Sequence, residues 1–452
     1  MPRLLLLHLR RSPQPYPSIA RFIHGGAGAP YGRDRGLDHA VERERHLRPL
    51  LALKDLLIRR GSPSLPLSSI SAARSRLRLP FRAARFVRAY PSAFQEFTPP
   101  SDGGGGGGGF ASLRPHVRPT PDLLRLHEEE RGVYAESRGE TGDRLLKLLM
   151  LTRRKRLPMD ALEGLKWDLG LPDDYAQSLL PDYPDYFQVV PSESPDHGPL
   201  ELELVCWIKD LAVSALEEKS ESAALAFPLH FTSGFEPEKK LMRRIEDWQR
   251  LPYISPYEDG GARLDPEGDQ HEKWAVGVLH EVLHLMVSKK CERWDLLRLG
   301  EHLGPKSAVF KRAVASHTGI FYVSHKNRTK VVLLREAYRR DRLLVEHPLV
   351  GVRHRYVHLM RKNSGGANDK RKPLRGDSDG GEEEEEERGD LLEDSDDYVD
   401  DDEEEEEVEI VGNYEKVNQS DRMDSIRGQL RKSKCTHRSI SRGRDIRRKV
   451  EH

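Results

Sequence analysis

The 452-residue chain has only three cysteines, Cys206, Cys291 and Cys435, and no CxxC pair. That scarcity excludes a disulfide framework and a zinc ribbon. No apolar run approaches the roughly 18 residues that a spanning helix needs, which excludes a transmembrane helix and any expected membrane partner. The phosphate-loop pattern GxxxxGK[ST] is missing, which argues against ATP-driven remodelling. The Gly103–Gly109 run lacks a strand-to-helix context and reads as a flexible insert in a loop. Net charge is missing as well, because 74 basic and 74 acidic side chains cancel.

The cancellation hides an asymmetry. Residues 1–362 carry 57 Lys and Arg against 46 Asp and Glu, whereas residues 363–452 carry 17 against 28. Within the body, residues 33–97 hold 14 basic and 6 acidic side chains, residues 301–362 hold 14 and 4, and residues 161–230 hold 3 and 14. A basic surface at both ends of a globular body points to a polyanion partner, with ordinary solvation of helix faces as the alternative. Residues 363–452 contain the acidic run Glu382–Glu387 and turn basic again from Lys416. Such a segment buries too little apolar surface to offset chain entropy and is expected to be a disordered tail. Residues 1–32 contain no acid, and Arg3, Arg10, Arg11 and Arg21 alternate with apolar side chains. This is the composition of an organelle transit peptide. The excess of Leu and Arg over Ser and Thr favours the mitochondrion, with the chloroplast as the alternative.

Between these ends the chain repeats itself. Leu65-Pro66, Leu79-Pro80 and Tyr90-Pro91-Ser92-Ala93-Phe94 correspond to Leu157-Pro158, Leu171-Pro172 and Tyr183-Pro184-Asp185-Tyr186-Phe187. A looser third copy has Trp294, Leu303-Gly304-Pro305 and His317-Thr318-Gly319-Ile320-Phe321. Each Leu-Pro is expected to open a short helix and each Tyr-Pro to close the second one. A helical pattern lies upstream of each copy, at 46–60, 143–154 and 271–290. A hairpin lies downstream: Phe187–Val190 is expected to pair with Leu202–Trp207, and Phe321–Ser324 with Lys330–Arg335. The predicted fold is therefore mainly α (α+β), with tandem helical modules near 40–120, 140–215 and 270–360, each closed by a short β-hairpin. Three helices followed by a hairpin is winged-helix-like order.

The run RDRGLDHAVERERHLRPLLALKDLLIRR…YPSAF at 33–94 and the run SHTGIFYVSHKNRTKVVLLREAYRRDRLLVEHPLVGVRHRYVHLM at 316–360 carry a family resemblance. They resemble the opening and closing segments of the plant organelle RNA recognition (PORR) domain, and the resemblance covers about residues 33–362. It implies an organelle protein that binds group II intron RNA and supports its splicing without catalytic residues or a cofactor of its own. Intron RNA is then the expected partner, with other splicing factors as further candidates. Thr318 stands where the family's His-Pro-Gly-Ile-Phe-Tyr element has Pro.

RNA binding needs cations for phosphates and planar groups for unstacked bases. The candidate cations are Arg74, Arg76, Arg78, Arg82, Arg85 and Arg88 in the first copy and Arg153, Arg154, Lys155 and Arg156 in the second. In the proposed third wing they are Lys326, Arg328, Lys330 and Arg335. Tyr90, Phe94, Tyr183, Phe187, Phe321 and Tyr322 lie beside them, as stacking platforms or as core. Two further readings compete. His280-Glu281-Val282-Leu283-His284 matches HExxH, in which both His could hold Zn²⁺ while the Glu activates water, as in a zinc metallopeptidase. The extended HExxHxxGxxH form is absent, and Glu301 or His302 would have to supply the third ligand. The acidic tail could alternatively make the protein an adaptor for a basic partner. Cys206, in LELVCW, reads as a buried core thiol, and Cys291 follows two lysines.

Overall fold

The computed structural model describes residues 32–59, 61, 64–99, 114–193, 198–219, 225–232, 234 and 238–362. The transit-peptide, glycine-insert and acidic-tail expectations lie outside these residues. The chain divides into two compact units, one drawn from residues up to 45 and 130–352, the other from 46–129 and 353 onward. Helices dominate, and the sheets are small and antiparallel, so the fold is mixed α+β.

The smaller unit begins with α2 (Leu47–Arg59), after α1 (Arg35–Glu42) of the larger one. Leu47, Leu50, Leu51, Leu53 and Leu57 recur at helical spacing and form its buried face. The strand β1 (Leu65–Pro66) leads into α3 (Leu67–Ala72) and α4 (Ala83–Ala89), followed by β2 (Phe94–Phe97) and β3 (His116–Pro119). The sheet order is β1-β3-β2. Phe86 and Phe94 are fully buried against this framework. The helix α5 (Pro121–Glu136) follows.

The larger unit continues with α6 (Arg138–Leu151), β4 (Arg156–Pro158), α7 (Met159–Leu169), α8 (Tyr175–Ser178), β5 (Phe187–Pro191) and β6 (Leu200–Leu204). After α9 (Ala215–Lys219) and α10 (Lys239–Gln249) comes a second such run. It holds α11 (Asp269–Leu285), β7 (Lys290–Glu292), α12 (Arg293–Gly300), α13 (Ser307–Ser316), β8 (Phe321–Ser324) and β9 (Val331–Leu334). A two-stranded ribbon, β10 (Tyr338–Arg339) with β11 (Arg342–Leu343), precedes α14 (Pro348–Arg361). Of the three boundaries between the units, one falls between α1 and α2 and the other two fall within α5 and α14. The strand orders are β4-β6-β5 and β7-β9-β8, the same as in the first sheet.

Local hydrogen bonding repeats along with strand order. Pro66, Pro158 and Glu292 each end a first strand and cap the next helix, with φ/ψ of −58/137, −56/138 and −61/134. Lys155 and Lys289 take positive φ, 55 and 52, just before β4 and β7. Each ammonium turns back to the carbonyl five residues earlier, Met150 or His284, and so caps a helix end. Phe94 N–H donates to Tyr90 O (3.0 Å), Phe187 N–H to Tyr183 O (3.0 Å) and Phe321 N–H to His317 O (2.9 Å). Thr318 therefore leaves the turn of its copy intact.

Several local expectations need correcting. Leu65-Pro66 and Leu157-Pro158 do lead directly into helices, but as strand residues with the proline at the N-cap and not inside the first turn, since a fixed φ suits both positions. The second hairpin pairs Phe187–Pro191 with Leu200–Leu204, not with a segment reaching Trp207. The last bonds from this strand to its neighbours are Leu204 N–H to Lys155 O (2.9 Å) and Val205 N–H to Tyr186 O (2.9 Å), after which the chain leaves the sheet. Cys206 consequently lies outside the strand and is exposed, whereas Cys291 in β7 is buried.

Gly170 ends α7 in the left-handed conformation (φ 70). A Cβ there would lie 2.6 Å from Val287 Cγ2 and 3.0 Å from Leu349 Cδ1. Gly170→Ala should therefore cost about 2–3 kcal/mol in denaturant unfolding, from left-handed strain plus overpacking. A cost below about 0.5 kcal/mol would show that this packing is loose.

Candidate nucleic-acid interface

The first-copy arginines lie on and around α3 and α4. Arg74, Arg78, Arg82, Arg85 and Arg88 are exposed, and Arg76 is half-buried. Helix α4 opens after Arg82, and its apolar side chains Ala83, Phe86 and Val87 are buried, which turns Arg82, Arg85 and Arg88 outward. No ion pair engages Arg74, Arg76 or Arg82 among the described residues. Arg85 lies over the Phe81 ring, 5.2 Å from its centroid. Arg88 is different: its Nε donates to Glu96 (2.8 Å), and that hydrogen bond raises the guanidinium pKa.

The second-copy cations are largely spoken for. Arg154 pairs with Glu193, and Arg156 pairs with Glu193 (2.9 Å) and Glu203 (2.8 Å). These hydrogen bonds hold Glu193 below the usual carboxylate range, with Arg156 contributing most. Arg153 donates to the carbonyls of Leu303 (3.2 Å) and Gly304 (3.1 Å). Lys155 is half-buried, and burial lowers its pKa. The acidity of this stretch explains part of the pattern, since Glu193 and Glu203 meet Arg154 and Arg156, whereas Arg153 is taken by backbone carbonyls.

In the third hairpin, Lys326 is 3.8 Å from Glu42, and Asn327 Nδ2 donates to Val41 O (2.8 Å). This turn is tied to α1. Lys330 is exposed, and the side chain of Arg328 lies outside the described ones. Arg335 leaves the candidate surface altogether. It is 5% exposed, pairs with Asp34 (3.3 Å), stacks on Tyr322 (4.9 Å) and donates to Thr232 (3.3 Å).

The aromatic candidates are mostly core. Phe94, Phe187, Phe321 and Tyr322 are buried. Tyr90 is half-buried and hydrogen-bonded to His46 (2.7 Å), and Tyr183 packs against Gly142 and Phe187. Position in the repeat accounts for the phenylalanines: each opens the first hairpin strand of its copy and each is buried. Exposed aromatics occur elsewhere, at Trp207 and Trp294. Lys155 Nζ sits 4.7 Å from the Trp207 centroid, and exposed Arg118 sits 4.9 Å from that of Phe97. Sequence reasoning missed both pairs, because each joins residues more than 20 positions apart.

The HExxH segment lies on α11, which is buried nearly all round. His280 and His284 share a face with ring centroids 4.6 Å apart. The residue that joins them is Glu336, in the turn after β9, and not Glu301 or His302. His284 Nε2 is 2.7 Å from Glu336 Oε1, and His280 Nε2 is 3.3 Å from the same oxygen without hydrogen-bond geometry. Burial drives the His284 imidazole down to about 4, partly offset by its bond to Glu336. Burial would raise the Glu336 carboxyl, but both histidines and Lys219 hold it well below the usual range. Glu281 points elsewhere. Its oxygens accept from Tyr257 OH (2.6 Å) and Ala215 N–H (2.7 Å), with Lys147 Nζ at 3.4 Å. A peptidase needs that carboxylate free beside the metal-bound water, so the geometry opposes the metallopeptidase alternative.

No helix among the described residues is long and apolar enough to cross a membrane. The plant organelle RNA recognition domain model matches residues 32–364. The Arabidopsis thaliana protein WHAT'S THIS FACTOR 9, mitochondrial, is 36% identical over 338 residues, 73% of this chain and 82% of that protein. The Zea mays protein WHAT'S THIS FACTOR 1, chloroplastic, is 32% identical over 335 residues, 70% of this chain and 64% of the relative. The Arabidopsis thaliana protein ROOT PRIMORDIUM DEFECTIVE 1 is 27% identical over 350 residues, covering 73% and 82%. No solved structure matches. With the domain model spanning most of its length and a relative 36% identical over most of both chains, the chain belongs to the plant organelle RNA recognition domain family.

Proposed function

We propose that this protein binds intron RNA in a plant organelle, the mitochondrion, and promotes group II intron splicing without catalysing it. The match to an organelle RNA recognition domain across residues 32–364 carries this reading. The mitochondrial designation of one relative and the acid-free first 32 residues support the compartment. The engagement of Glu281 by Tyr257 and Ala215 supports a non-catalytic role.

In this reading the stretches near 40–120, 140–215 and 270–360 are three winged-helix-like modules. Their common strand order and their matching helix caps support that assignment. The primary RNA contact is the unpaired guanidinium cluster Arg74, Arg76, Arg82 and Arg85. Lys330 is a further cation, and Phe97 with Arg118 and Trp207 with Lys155 offer planar surfaces for bases. Bound protein favours the active RNA fold, and the RNA performs the chemistry.

Crosslinking and immunoprecipitation from purified organelles should enrich one or a few intron sequences. Recovery of no RNA above background overturns the reading. With a recovered intron fragment, the quadruple variant Arg74→Glu, Arg76→Glu, Arg82→Glu, Arg85→Glu should weaken binding by about tenfold or more at low salt. The salt slope should fall by roughly 0.7 for each single-strand phosphate that the variant no longer neutralises. Arg156→Ala, which removes a cation already paired with Glu193 and Glu203, should leave that slope unchanged. Equal slopes for the quadruple variant and the unaltered protein would remove this cluster from the interface.

A further inference from the structure

We propose that His280, His284 and Glu336 form a structural site for Zn²⁺ or a similar borderline divalent metal, clipping helix α11 to the turn that follows β9. The inference does not depend on RNA binding.

The donor set is two imidazoles and one carboxylate, a common combination for zinc. The ligand atoms already lie within 4.8 Å of one another. Zinc–ligand bonds of about 2.0–2.2 Å in tetrahedral geometry place donor atoms roughly 3.3–3.5 Å apart. The observed separations from Glu336 Oε1 are 3.3 Å to His280 Nε2 and 2.7 Å to His284 Nε2. Shifts below an ångström would therefore admit the ion.

An independent observation also points to a ligand. His280 is 1% exposed, yet its Nε2 has no hydrogen-bond partner, and the buried Oε2 of Glu336 has none either. Orphaned polar atoms of this kind are rare in buried positions. The orphaned His280 Nε2 lies 3.3 Å from Glu336 Oε1, and a cation between them would satisfy it. Lys219 Nζ contacts Glu336 Oε1 at 2.8 Å, but its side chain is 56% exposed and can withdraw to solvent when a metal takes that oxygen. The engagement of Glu281 with Tyr257, Ala215 and Lys147 leaves no base to act on a metal-bound water, so the site ties elements together and does not hydrolyse.

The test uses the purified full-length chain, stripped by chelator and titrated with Co²⁺ and then Zn²⁺. One equivalent of Co²⁺ should give visible d–d bands, Zn²⁺ should displace it, and Zn²⁺ should raise the thermal midpoint. His284→Asn and Glu336→Gln should each abolish the bands and the Zn²⁺-dependent rise in midpoint. These two partly solvent-accessible positions are chosen because His280→Asn is the substitution most exposed to folding failure. The absence of bands and of a midpoint shift in the unaltered chain overturns the proposal. So does equal metal uptake by both variants, which would place the metal elsewhere, for instance at Cys435 and His437.

Discussion

Glu281→Ala should lower the unfolding free energy by about 3–5 kcal/mol, the usual cost of removing one partner from a buried charged network. The side chain is 1% exposed and is the shared acceptor of three donors. Its loss strands the Tyr257 hydroxyl and the Ala215 amide, and it leaves Lys147, 14% exposed, with Glu218 as its remaining carboxylate. The Tyr257 hydroxyl is held protonated, since burial first and then the Glu281 charge push its pKa well up. It is therefore a committed donor with nowhere else to go. Glu281→Gln keeps one acceptor but turns an amide N–H₂ toward a donor, so a smaller loss is expected. Guanidinium unfolding of the two variants decides the matter. A hydrolytic general base gives the opposite pattern, lost turnover with stability retained; a change below about 1 kcal/mol for Glu281→Ala would contradict the structural role.

The second large effect is expected at Asp38. This side chain of α1 accepts from Ser324 Oγ (2.7 Å), Tyr322 OH (2.9 Å) and Arg33 Nε (3.0 Å). Tyr322 and Ser324 are fully buried. Asp38→Ala leaves the buried Ser324 hydroxyl without its carboxylate acceptor and the Tyr322 hydroxyl with the more distant Asp34 carbonyl (3.3 Å), and should cost about 3 kcal/mol. Asp38→Asn retains an acceptor at the same place and should cost about 1 kcal/mol. Asp34 adds to the same joint by accepting from Gly36 and Leu37 N–H (3.1 Å each) at the helix start. Native-state hydrogen exchange offers a local readout. The amides of α1 should lose protection in Asp38→Ala well before those of α6, and uniform loss would mean that the joint has no local character.

Much of the architecture is legible in the amino-acid sequence, for identifiable reasons. The helices α2, α6 and α11 announce themselves through leucines at three- and four-residue spacing, which only a helix can bury together. The hairpins of the second and third copies show as short β-branched and aromatic runs around a turn. What escapes such reading is short or non-local. The first strand of each sheet is two or three residues long, too short for any periodicity, and Pro66 and Pro158 look like helix openers. Helix α1 is set by Asp34 and Asp38 and by partners nearly 300 positions away. The candidate site divides along the same line. Arginine clusters are visible as composition, but whether an arginine is available depends on neighbours. Glu193 and Glu203 capture Arg156, and Asp34 captures Arg335, through the pairing of segments far apart in the chain. Glu336 is invisible as a companion of His284 for the same reason, since 52 positions separate them.

The joint between α1 and β8 bears on how the chain tolerates proteolytic trimming. β8 is an outer strand of its sheet, and α1 packs against it. The outer first strands of the other two three-stranded sheets end in Pro66 and Pro158, which lack the N–H that an incoming strand would need. β8 reads Phe-Tyr-Val-Ser and has no such block. A cut that removes only residues before Asp34 spares the helix and its cap. A cut one helical turn further on would take Asp34 and Asp38 together, release α1, and bare an apolar strand to its counterparts on other molecules. Cuts that spare the joint and cuts that undo it are thus only a few residues apart along the chain, and the second kind exposes the β8 edge.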